Sequence, residues 1–175
     1  QRYHGAVTFD GTTLVLYLNG QVEATTVMSL NTIVDANGLT ISRRPDSNAY
    51  WTGQIDEPAI YNRALSLSEI QSVFNAGTSG KSKPTATVAP TGIVGFWAGD
   101  GDSNDIAGSN NGTLPNGAGF ATGKVGQSFN LDGVDDYVQT DLDVQPSAMP
   151  NVTFEAWVFP QNPTGADQAI FSGDD

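Results

Sequence analysis

The sequence predicts an all-β protein with one short helix, and three observations predict it. Twenty Gly and nine Pro in 175 residues, with only 15% charged, suit many short strands joined by tight turns. Apolar and polar residues alternate with period two through several short runs. Only residues 66–77 combine helical apolar spacing with a recognisable start and stop.

The elements follow in order. Tyr3, Gly5, Val7 and Phe9 alternate with His4, Ala6 and Thr8 in a strand that ends at Asp10-Gly11. A second strand, Thr13 to Leu18, ends at Asn19-Gly20, a hairpin pair because both turn residues must take positive φ; residues Gln21 to Thr26 return beside it. Shorter strands fit Leu39 to Ser42 and Gly53 to Tyr61, where Pro58 calls for a sheet edge or a bulge. Ser66-Leu67-Ser68-Glu69 forms a capping box, Ile70, Val73 and Phe74 form one apolar helix face, and Gly77 suits the stop. Residues 78–92, TSGKSKPTATVAPTG, are rich in Ser, Thr and Pro, carry no acid, and read as a linker. Strands resume at Ile93 to Trp97, Gln127 to Leu131, Tyr137 to Thr140 and Val152 to Phe159.

Charge and composition exclude several functions. A net charge of -12 with a pI near 4.1 repels phosphate backbones and anionic lipid, so nucleic acid is not an expected partner. No apolar run is long enough to span a membrane as a helix, and membrane insertion is not expected. The absence of cysteine removes disulfides, thiolate zinc sites and cysteine nucleophiles. Nineteen acids with many Asn and Gly supply the hard oxygen ligands that Ca²⁺ prefers.

Five stretches carry a family resemblance: YHGAVTFDGTTLVLYLNG, YWTGQIDEPAIYNRALSLSEIQSVFNAG, GIVGFWAGDGDSNDIAGSNNGTL, GKVGQSFNLDGVDDYV and VTFEAWVFP. Together they resemble the laminin-G-like, concanavalin A-like jelly-roll domains common in bacterial surface proteins. The resemblance implies an antiparallel two-sheet jelly-roll sandwich, outside the cell or on its surface. In that family the GFW, LDGVDDYV and FEAWV blocks come first and the VTFDG and GQIDEPAIYNRALS blocks last. Residues 1–77 therefore resemble the back half of a domain and residues 93–175 the front half. The halves either close within one chain, as a circular permutant, or complement neighbouring copies, building a fibre by shared domains, or are part of a longer tandem array.

Candidate chemistry centres on GDGDSNDIAGSNNG, residues 99–112. Asp100, Asp102 and Asn104 alternate like the start of an EF-hand, but Asp105 and Asn111 stand where that motif needs Gly and Glu. The resemblance implies a structural Ca²⁺ here, held by Asp105, Asn110, Asp132 and Asp56, with Asp102 and Asp136 in reserve; the alternative is an Asx-rich turn with no ion. Gly101-Asp102-Ser103 matches the first block of a GDS esterase, but the one histidine, His4, lies in a strand at the far end. Glucanases on this fold place carboxylates at alternate positions of one strand, whereas Asp56-Glu57 and Asp135-Asp136 are adjacent and point to opposite faces. A non-catalytic module is expected. In Val152 to Phe159, the face bearing Glu155 and Trp157 is either a sugar-stacking surface or a second core layer, and Tyr50 and Trp51 are the more exposed aromatic candidates. A glycan or surface polysaccharide is the expected ligand. Asn111-Gly112-Thr113 and Asn151-Val152-Thr153 match glycosylation sequons by pattern.

Overall fold

A computed structural model describes residues 1–29, 38–44, 49–81, 89–162 and 168–173; residues 82–88 of the expected linker lie outside the described residues. The strands are β1 Tyr3–Phe9, β2 Thr13–Leu18, β3 Gln21–Val27, β4 Thr40–Ile41, β5 Arg43–Arg44, β6 Ala49–Tyr50 and β7 Thr52–Tyr61. Helix α1, Leu67–Ala76, and a single 3-10 turn follow. After them come β8 Ile93–Phe96, β9 Gly119–Thr122, β10 Gln127–Asp132, β11 Val138–Gln139, β12 Val152–Pro160 and β13 Phe171–Ser172.

The chain is an all-β, antiparallel, two-sheet sandwich with one short helix. The larger sheet runs β3-β2-β1-β12-β7-β10-β9, with β8 also on β7; the smaller runs β11-β4-β13, and β5 and β6 pair as a separate two-stranded ribbon. Strands from both ends of the sequence interleave: β1 pairs with β12 over seven residue pairs, Tyr3↔Val158 to Phe9↔Val152. The central strand β7 pairs with β12 on one side and with β10 and then β8 on the other.

The local signals explain much of this. Asn19 and Gly20 take φ of 50° and 76°, as the two-residue turn between β2 and β3 requires. The Ser66 side chain accepts from the Glu69 amide while the Glu69 side chain accepts from the Ser66 amide, so two orphan donors of α1 are satisfied. Pro58 marks a bulge and not an edge. The β7–β12 register slips between Glu155 and Trp157, Glu57 adopts φ 51°, and Pro58 falls in the gap between β10 and β8, where no ladder donor is missed.

Each face of the large sheet carries its own core. On one face Ile55, Ile60, Phe129, Leu131, Ala156 and Val158 pack toward Leu39, Ile41 and Val138 of the small sheet. On the other, Ala6, Tyr17, Ala59, Tyr61 and Phe96 pack around Leu65 and Ile70, the latter on α1. The residues after α1 fold in as well: Lys81, which composition places in the linker, is 8% exposed.

Candidate functional site

The helix-covered face holds a buried polar cluster. Glu155 of β12 is fully buried; its Oε2 lies 3.0 Å from His4 Nε2 and its Oε1 2.6 Å from Lys81 Nζ. Lys81 also donates to the Glu57 carbonyl at 2.8 Å, lies 3.9 Å from Glu57 Oε2, and sits over the Phe96 ring. Tyr61 donates to Glu155 Oε1 at 3.4 Å. Burial pushes the Glu155 carboxyl up, but the Lys81 and His4 partners outweigh it and hold it below its usual range. Burial pushes Glu57 up, and Lys81 offsets that only in part.

This arrangement corrects the sugar-stacking reading of β12. Glu155 and Trp157 are 0% and 5% exposed because α1 and the segment behind it cover that face, with Phe74 stacked 5.6 Å from Trp157. Trp51 is 8% exposed and belongs to the inter-sheet core, so it cannot present a ring to solvent; Tyr50, in β6, is half-buried. The sequence shows which residues of a strand share a face, but not which face a helix will cover.

The metal-ligand candidates fall in separate places, Asp105 with Asn110, Asp102 and Asp56 each apart, and Asp132 with Asp136. Asp105 accepts from the amides of Phe96 and Ala107 on Oδ1, and from the amide and side chain of Asn110 on Oδ2. Those four bonds fill the lone-pair positions of the carboxylate, so Asp105 ties its loop to β8 and has no oxygen to spare for an ion. Asn110 uses its nitrogens on Asp105, while its carbonyl accepts from the Trp97 indole. Asp102 closes a local turn by accepting from Asn104. The acid-rich loop is thus an Asx-type turn system. Asp56 is fully buried, accepting from the amides of Lys124 and Val125 on Oδ2, while Oδ1 has no partner. Burial first, then the neighbouring Glu57, pushes its pKa up to about 7, against those two hydrogen bonds. Asp132 and Asp136 do come together, joined by Asp135, which the sequence reading had not placed in the set; one oxygen from each lies within 4.8 Å of the others. Burial, and after it the nearby Asp132 and Asp135 charges, push the Asp136 carboxyl above its usual range, against the hydrogen bond it accepts from the Asp132 amide.

The open concavity lies on the opposite face. Between β1, β2 and β12 on one side and residues 168–173 with Arg44 and Ala49 on the other is a cleft of about 720 Å³. Val7, Leu16, Phe154 and Phe171 give it an apolar floor, with the Phe154 and Phe171 rings 5.4 Å apart, and Arg44, Gln168 and Ser172 supply polar atoms. None of these was singled out from sequence. Period-two alternation places Phe154 on one strand face with Ala156 and Val158, but does not show that a cleft opens there.

Residues 1–71 match the laminin G family model described as the concanavalin A-like lectin/glucanases superfamily. That match supports a laminin-G-like, concanavalin A-like jelly-roll domain. Comparison with curated proteins and with solved structures found no match. Laminin-G-like domains are generally non-catalytic binding modules and typically extracellular, in a superfamily that also includes glycosidases. No helix among the described residues is long and apolar enough to cross a membrane.

Proposed function

We propose that this laminin-G-like domain is a non-catalytic carbohydrate-binding and adhesion module of an extracellular bacterial protein, and that the glycan lies in the cleft between β1, β2, β12 and residues 168–173. The observation that carries this reading is the cleft itself, a concave surface at the rim of the inter-sheet face, on the side of the large sheet away from α1. Among the described lining residues there is no carboxylate, whereas glycoside hydrolysis needs two acids flanking the bond. Phe154 and Phe171 supply ring surface, and Arg44 and Ser172 can orient hydroxyls, while Gln168 ties the cleft wall to the Thr52 amide. The test is a glycan array followed by calorimetry on the hits. Ser172→Ala is expected to weaken a hit at least about tenfold with the melting temperature unchanged, since one good hydrogen bond to ligand is worth about 1.4 kcal/mol. Full affinity in that variant removes the ligand from this cleft.

A structural Ca²⁺ belongs to the same proposal. Asp132 and Asp136, with Asp135, suit it best among the expected ligands, because three close carboxylates gain when a cation neutralises their repulsion. Excess chelator is expected to lower the melting temperature; an unchanged value discards the ion.

The back-to-front order is read here as closure within one chain. The extent of the β1–β12 pairing and the His4–Glu155 contact support this. Sharing between copies would use the same pairs between chains and build fibres. Light scattering across concentrations separates the two, a constant monomer mass supporting closure and growing assemblies opposing it.

A further inference from the structure

Three chain segments converge on the buried amine of Lys81. Its Nζ lies 2.6 Å from Glu155 Oε1 and 3.9 Å from Glu57 Oε2, and all three side chains are 4% exposed or less. Glu57 is held there by the bulge, in a positive-φ conformation that a glutamate rarely adopts. Gly80, at φ 66°, brings the chain so close that a Cβ there would stand 2.8 Å from Glu57 Oε1. Phe96 closes the site, and the chain has no cysteine with which to staple this region.

We propose that Lys81 and Glu57 are joined by a spontaneously formed isopeptide bond, with Glu155 as the base. The roles follow from the contacts. Glu155, ionised and touching Nζ, takes one proton from the ammonium group. The freed lone pair on Nζ attacks the Glu57 carboxyl carbon, forming the N–C bond. The Glu57 C–OH bond then breaks, and the hydroxyl leaves as water with the second nitrogen proton. The first proton stays on Glu155, whose other oxygen faces His4 Nε2. Nucleophile, electrophile and base are already within reach of one another, Lys81 Nζ standing 2.6 Å from Glu155 Oε1 and 3.9 Å from Glu57 Oε2. Proximity supplies the effective concentration, and a buried ion pair is exchanged for a neutral amide.

The test is the intact mass of the native 175-residue chain, followed by sequencing of its peptides. The bond predicts a loss of one water, about 18 Da, and a linked peptide pair containing Glu57 and Lys81, with no tryptic cut after Lys81. Succinimides at Asp10-Gly11, Asp100-Gly101 or Asp132-Gly133 would cost the same mass, so the location matters. Lys81→Arg, which keeps the charge, and Glu155→Gln, which removes the base, are expected to restore the full mass. A full-mass native chain, or a deficit that persists in Lys81→Arg, overturns the proposal whether or not the variants fold well.

Discussion

Replacing Asp56 by Asn is expected to abolish a specific part of the pH dependence of stability. The carboxyl is fully buried, one oxygen accepts two amides, and the other has no partner. Its pKa stands at about 7 in the fold, pushed up by burial and then by Glu57, against 3.8 in the unfolded chain. As pH rises from about 4 to 7, the unfolded chain releases this proton while the folded one keeps it, so stability falls with pH. At about 1.4 kcal/mol per unit, the gap is worth about 4 kcal/mol, fully lost once pH passes the folded value. The assay is the urea unfolding free energy of both proteins between about pH 4 and pH 8, in chelator, where the other acids cancel in the difference. The asparagine variant should gain on the wild type steadily through that window, and at the alkaline end be the more stable of the two. Two parallel curves would refute the burial argument. Repeating the titration in Ca²⁺ bears on the metal reading of Asp56, because a carboxyl that keeps its proton up to about pH 7 is a poor cation ligand below that pH, and loss of the slope in Ca²⁺ would restore it to the ligand set.

Three further outcomes follow from single contacts. Glu155→Gln, in which the Lys81–Glu57 bond does not form, leaves the Lys81 ammonium and His4 buried without a carboxylate at position 155, and is expected to cost about 3–5 kcal/mol of unfolding free energy, the range for breaking a buried pair. Asp105→Ala orphans the buried Phe96 amide and three further donors; a loss of about 3 kcal/mol is expected by denaturant titration with no change in Ca²⁺ response, because its oxygens are already occupied. Ser66→Ala removes one side of the capping box, and the melting temperature should fall by a few degrees, for about 1 kcal/mol.

What the sequence could and could not disclose divides by the range of the interaction. The β2–β3 turn and the start of α1 were legible because their determinants lie within four residues, where backbone demands at Asn19-Gly20 and Ser66–Glu69 leave few alternatives. Pro58 was legible as an interruption but not as a bulge, since a missing donor suits either an edge or a gap between partners, and only the meeting of β8 and β10 on β7 selects the gap. Strands of two residues, such as β5, β6 and β13, are too short to show a period at all. The acid-rich loop announced oxygens but not their directions; that Asp105 points at the amides of its own loop depends on Trp97 and Phe96 being pinned by β7. Least legible of all was Lys81. A composition window averages it into a Ser/Thr/Pro run, yet its partner Glu155 lies 74 residues away on a strand that also looked able to face a sugar. Each residue misled for want of the other: a lysine in a linker and a glutamate among apolar neighbours are both unremarkable until the fold brings them within 2.6 Å, and only then do they read as one site.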